Sequence, residues 1–134
     1  MKNLLVVFAI SALSLLILSF TGTNNQTIAT NPGNDVSFEI PDDVQAIINN
    51  SCYVCHSDES SSTTSKMKLN FDKLPEMKVG KQVGKLIKIS NAVKEGAMPK
   101  ENFIEKYPDK KLSIEDSNKL TSWAEELANK LGGE

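Results

Sequence analysis

A chain of 134 residues with 15 lysines, no arginine and 17 acidic residues carries a formal net charge of -2. That length is one domain, and that charge is too small to imply a nucleic-acid partner. Without arginine, bidentate recognition of phosphate or carboxylate is not central to its work.

Lys2 precedes an uncharged apolar run, residues 4–20, relieved only by serines. A basic start followed by an apolar stretch has the pattern of an export signal. The small residues Ser19, Thr21, Gly22 and Thr23 sit at the end of the run, with no A-x-A and no cysteine to accept a lipid. The expectation is a signal peptide over 1–22, cleaved on export to the periplasm. The alternative is an uncleaved N-terminal anchor tethering the protein to the membrane, because the run approaches the ~20 residues of a bilayer span. Residues 23–35 are polar and rich in turn formers, which predicts a flexible linker to a domain over 36–134.

In that domain Asp42 and Asp43 suit a first helical turn, where the helix dipole favours negative charge, and Val44, Ile47 and Ile48 follow at helical spacing. A short helix is predicted to run straight into the cysteines. Residues 57–65 form a serine-threonine run, expected to be a loop with no means of packing. Residues 68–77 show no deciding period. A second helix is predicted over 79–93, with Val79, Val83, Leu86, Ile87 and Val93 on its apolar side and Lys78, Lys81, Lys85 and Lys88 elsewhere. Gly96 supplies a left-handed stop. Residues 95–111 read as a loop with two prolines. A third helix starts at a variant capping box, Ser113 with Asp116, and buries Leu120, Trp123, Ala124, Leu127 and Leu131. No strand period and no internal repeat are seen, so the fold class is all-α with three or more helices. The apolar set is modest for a domain of this size, and a flat apolar cofactor at its centre would relieve the shortage.

Both cysteines and the only histidine fall in one stretch, Cys52-Tyr53-Val54-Cys55-His56. A disulfide there would close a very small loop and gain little. Zinc usually takes four Cys or His ligands, and the chain has three. A thioredoxin-like motif needs a βαβ setting, which is absent. CxxCH is the attachment motif of c-type haem. Two thiols about one helical turn apart can add to the two vinyl groups on one porphyrin edge, and the following imidazole then lies under the iron. Cys52 and Cys55 are the expected attachment points and His56 the proximal ligand, with Tyr53 and Val54 expected to cover the porphyrin edge.

A single histidine excludes bis-histidine ligation within one chain. Met98, between Ala97 and Pro99 just past a helix end, is the expected second axial ligand, since methionine opposite histidine is a known way to raise a haem potential. Met67 and Met77 are expected to be core filler.

The segments "SCYVCHSDES", "KLNFDKL", "AVKEGAMP" and "YPDKKLSIEDSNKLTSWAEEL" resemble the haem-binding domain of exported proteins of Bacteroidetes-type bacteria, a relative of the small mono-haem cytochromes c. The resemblance spans about residues 40–127. It implies a small cytochrome c-like helical fold around one covalently attached haem, held at Cys52 and Cys55, with iron ligation by His56 and Met98. The family pattern carries an aromatic, proline-rich stretch after CxxCH. Here Ser60, Ser61, Ser62, Thr63, Thr64 and Ser65 stand in its place, which implies a more exposed haem edge.

Eight lysines between Lys66 and Lys94 face only Asp72 and Glu76. Such a face steers an acidic redox partner or is simply the solvated side of a helix. Trp123 reads as an ordinary core aromatic and Tyr107 as a loop anchor. The expected function is one-electron transfer with no catalysed bond change, hence not an enzyme. The alternative is a haem-based sensor or ligand-binding module with a displaceable Met98. A peroxidase-like enzyme is the weakest reading, because no distal histidine is available.

Overall fold

The computed structural model describes residues 36–133; the expected signal or anchor at 1–22 and linker at 23–35 lie outside them. The chain forms α1 (Asp42–Ser51), α2 (Thr63–Lys68), α3 (Val79–Lys94), α4 (Glu101–Lys106), a 3-10 turn (Pro108–Lys110) and α5 (Ile114–Gly132). The fold is all-α, with no strand among the described residues. No described helix is long and apolar enough to cross a membrane.

The first helix follows Pro41 and carries Asp42 and Asp43 in its first turn. Val44, Ile47 and Ile48 are buried as their spacing predicts. Asp43 pairs with Lys119 of α5 at 3.0 Å, and that ammonium holds the Asp43 carboxyl below its ordinary range. The long helices α3 and α5 form the main packed pair, and α1 lies on α5. Ser113 caps α5 by accepting the Asp116 N–H at 3.0 Å, and its hydroxyl donates to the Asp116 carboxylate at 2.8 Å, so the variant capping box forms. Leu120, Trp123, Ala124 and Leu127 are buried, with Leu131 packed at the margin. The Trp123 indole donates to the Glu39 carbonyl at 3.0 Å and meets Phe38 edge-on at 6.4 Å. It is a core aromatic whose one polar atom is satisfied.

Four expectations need correction. On α3 the buried row is Gln82, Leu86, Ile89 and Ser90, while Val79 and Ile87 are half exposed. Ile87 lies about 100° round the helix from Leu86 and about 200° from Ile89, so it leaves the core once those two enter it. Residues 57–65 are not without packing. Ser57 and Ser60 are buried, and Ser62 caps α2 by accepting the Ser65 N–H at 3.3 Å, a polar anchoring that a count of apolar residues does not register. The expected loop at 95–111 contains α4 and the 3-10 turn. Met67 is 78% exposed and fills no core, whereas Met77 packs against it.

Candidate functional site

The last turn of α1 continues as hydrogen-bonded turns through the CxxCH stretch. Cys52 N–H donates to Ile48 O at 2.9 Å, and Cys55 and His56 N–H both donate to Cys52 O at 3.1 Å. Residues three and four apart on such a coil share a face, which brings Cys52, Cys55 and His56 to one side. The same geometry turns Tyr53 and Val54 away. Val54 is 62% exposed, the Tyr53 hydroxyl donates to Asp72, and neither lines a cleft. The expected cover of a porphyrin edge by these two residues is therefore not found.

His56 is held from behind. Its Nδ1 lies 3.1 Å from the Ser65 carbonyl oxygen and 3.1 Å from that of Leu69. Carbonyl oxygens only accept, so Nδ1 carries the proton and Nε2 keeps its lone pair for a metal. The backbone closes the same join, with Phe71 N–H donating to His56 O at 2.8 Å. The Phe71 ring meets the imidazole edge-on at 6.5 Å.

The segment after the motif is clamped by polar groups. Asp72 accepts the Asp58 N–H at 2.7 Å, and Asp58 accepts from the buried Asn70 amide at 2.8 Å and pairs with Lys73 at 2.8 Å. Hydrogen bonding to Asp72 raises the Tyr53 phenol above its ordinary value, and Lys73 with Asn70 lowers the Asp58 carboxyl. These bonds fix the stretch that supplies carbonyls to His56.

Met98 is supplied by the turn that follows α3. Gly96 takes φ +65° and its N–H donates to Val93 O at 3.0 Å, ending α3 in the left-handed conformation expected of it. Met98 N–H then donates to Ala92 O at 3.1 Å, pinning the loop to the last turn of α3. The Met98–Pro99 peptide is cis, and the Met98 side chain is half-buried.

Two adjoining clefts, of about 420 Å³ and about 370 Å³, have Cys52, His56, Val93 and Met98 in common. Each lies in the range of about 300–1,000 Å³ usual for small-molecule and cofactor sites. The first is walled by Leu69, Phe71, Ile89 and Leu120 and rimmed by Lys68, Lys85 and Lys88. The second contains Cys55, Phe103, Tyr107 and Leu112, with Lys100 and Lys106 at its edge. The Phe103 and Tyr107 rings meet at 5.1 Å, tilted by 45°, and Tyr107 lines the second cleft, so it is part of a cleft wall as well as a loop contact.

Both cysteines are free thiols. Burial pushes the Cys52 thiol up to about 12, with the neighbouring Cys55 adding to the effect. The four residues singled out from the sequence thus share one apolar trough: two thiols on one side, an imidazole with a free Nε2, and a thioether. Sequence reading missed Phe71, Ile89, Leu120 and Phe103 as trough walls. The apolar pair Phe71 and Leu74, three apart inside a polar stretch, is the signal that marks residues 68–77 as core-facing, and both are buried.

The fold and this donor set define a small all-helical domain with two adjoining apolar clefts that carry thiol, imidazole and thioether side chains. Residues 62–126 match the family described as haem-binding domain, and that match supports a haem-binding domain over this stretch. The match begins after the CxxCH motif, includes Met98, and ends within α5. No curated protein and no solved structure matches the chain.

Proposed function

We propose that the protein is an exported mono-haem c-type cytochrome that carries single electrons through a His56/Met98-ligated iron, related to the small cytochromes c. The observation that supports it is the trough itself. An imidazole whose Nδ1 is committed to two carbonyls lines the same space as Met98 and the motif cysteines.

In this reading Cys52 and Cys55 each form one thioether. Each S–H would add across one vinyl C=C, the sulfur and the hydrogen going to its two carbons, with no net oxidation. His56 offers Nε2 to the iron, and Met98 offers its sulfur from the loop pinned to Ala92. Haem supplies reversible ferric-ferrous cycling, tuned by ligand identity and burial. Leu69, Phe71, Ile89 and Leu120 exclude water from its faces. With His56 and Met98 both holding the iron, no substrate would reach it, so the reading is a carrier and not an enzyme. The lysines between Lys66 and Lys94 would steer an acidic redox partner. Residues 1–22 would direct export to the periplasm, with cleavage or retention as an anchor.

Absorption spectra of ferric and ferrous protein from a host that matures c-type haem test this. A weak long-wavelength sulfur-to-iron band that disappears in Met98→Ala supports it. A high-spin spectrum in the unsubstituted protein that shifts on adding carbon monoxide overturns it in favour of a sensor or ligand-binding module.

A further inference from the structure

Three lysines line the larger cleft, and among the described residues none of them is in a salt bridge. Lys68, Lys85 and Lys88 rim it, and neither cleft has an aspartate or glutamate in its wall. Among the described residues the salt bridges use Lys73, Lys94, Lys110 and Lys119, and none of these three. Lys85 and Lys88 are three apart on α3, hence neighbours on one face that repel each other. Lys85 is nevertheless half-buried, with its ammonium donating to the Lys68 carbonyl. An ammonium has three donors, so that bond orients Lys85 at the cleft and leaves donors over. Concentrated positive charge beside apolar walls is the complement of a ligand that is apolar in body and anionic at one edge.

We infer that Lys85 and Lys88, with Lys68, bind the two propionate carboxylates of the haem. The inference rests on the haem reading above and adds the orientation of the group. Vinyl and propionate substituents occupy opposite edges of the porphyrin. The vinyl edge belongs at the two thiols, and Cys55 lines only the second cleft. The carboxylates therefore point away from Cys55, into the cleft that shares Cys52 and His56 but ends in Lys68, Lys85 and Lys88. Lys100 and Lys106 stand at the thiol end, where Lys106 lies over the Tyr107 ring at 5.4 Å and has a different partner.

Treatment of the holoprotein with a water-soluble carbodiimide, which condenses a carboxylate with an amine in contact with it, reads this directly. Mass spectrometry is expected to find the haem-bearing peptide of Cys52 and Cys55 joined to a peptide containing Lys68, Lys85 or Lys88. Lys85→Gln/Lys88→Gln is expected to lose most of that product and to shift the propionate bending bands in the resonance Raman spectrum. Lys100→Gln/Lys106→Gln is expected to change neither. Links to Lys100 or Lys106, no link at all, or unshifted Raman bands in the first double variant overturn the inference while leaving covalent haem in place. Should the double variant fail to mature, the cross-link map of the unsubstituted protein decides alone. Pigment extracted by acidified organic solvent would sink the haem-attachment reading itself, and this inference with it.

Discussion

The imidazole Nδ1 of His56 lies 3.1 Å from the carbonyl oxygen of Leu69, thirteen residues further along the chain. Because a carbonyl cannot donate, this contact fixes the tautomer and the ring orientation together, and it does so with backbone, which substitution at Leu69 does not remove. In the loaded protein the His56 Nδ1 proton is therefore expected to exchange slowly with solvent and to give a resolved signal in nitrogen-edited NMR spectra. A proton that exchanges at the rate of a free imidazole would show that the ring is not held this way. His56→Ala is expected to abolish low-spin haem, since no other histidine can take its place.

Gly96 prepares Met98. At φ +65° an alanine is strained by about 1–2 kcal/mol, although its Cβ would meet no atom within 4 Å. Gly96→Ala should therefore destabilise the protein by about that amount, measured by denaturant titration of the ferric form. The strain is relieved by moving the turn that carries Met98, so the fraction of ferrous protein that binds carbon monoxide is expected to rise. Unchanged stability with unchanged carbon monoxide binding would show that the loop does not depend on this turn.

The fold was legible wherever apolar periodicity decides structure. The α1 positions Val44, Ile47 and Ile48, the Ser113 cap and the α5 row from Leu120 to Leu127 all follow from spacing and capping chemistry. Cys52, Cys55 and His56 could be singled out because they form a motif whose spacing has one common chemical use, and the structure places them with Met98 along two adjoining clefts. What stayed hidden was organised by polar contacts between segments distant in sequence. Residues 57–77 look unstructured by hydropathy, yet Asp58, Asn70 and Asp72 tie that stretch together and set the Leu69 carbonyl against His56. Hydrogen bonds have no period, so no window of sequence displays them. The position of Ile87 fails for another reason: an apolar residue beside Leu86 fits a helical stripe as well as Ile89 does, and only packing against α5 chooses between them.

Glu125 joins the two long helices. It accepts from the buried Ser90 hydroxyl at 2.6 Å and pairs with Lys94, and these two partners, Lys94 foremost, hold its carboxyl below the ordinary value of 4.5. A depressed folded-state value means that the unfolded chain takes up the proton first. The stabilisation is present above about pH 4.5 and is lost as pH falls through the lowered value. Glu125→Gln should lower the melting temperature at pH 7 only slightly, as expected of a half-exposed pair. Its melting temperature should also fall less steeply below pH 5 than that of the unsubstituted protein. Parallel acid limbs in the two proteins would show that the pair contributes nothing.

Cys52 carries the other pH signature. Burial lifts its thiol from 9.0 to about 12 in the chain without haem, and only the thiolate is a nucleophile. Each unit of elevation lowers the thiolate fraction about tenfold at a pH below both values. Alkylation of Cys52 by iodoacetamide at pH 8 should therefore be slower by two to three orders of magnitude in the folded chain than in the same chain in denaturant. Its rate should keep rising past pH 10, where an exposed thiol has levelled off. The sign for stability follows: a raised folded-state value means the unfolded chain loses its proton first, so this contribution is full below about pH 9 and is lost as pH rises toward about 12. Thioether formation removes the titrating group, and the haem-loaded protein should lack this alkaline loss. Equal alkylation rates in folded and denatured chain, followed by peptide mass mapping at Cys52, would show that the thiol is not shielded.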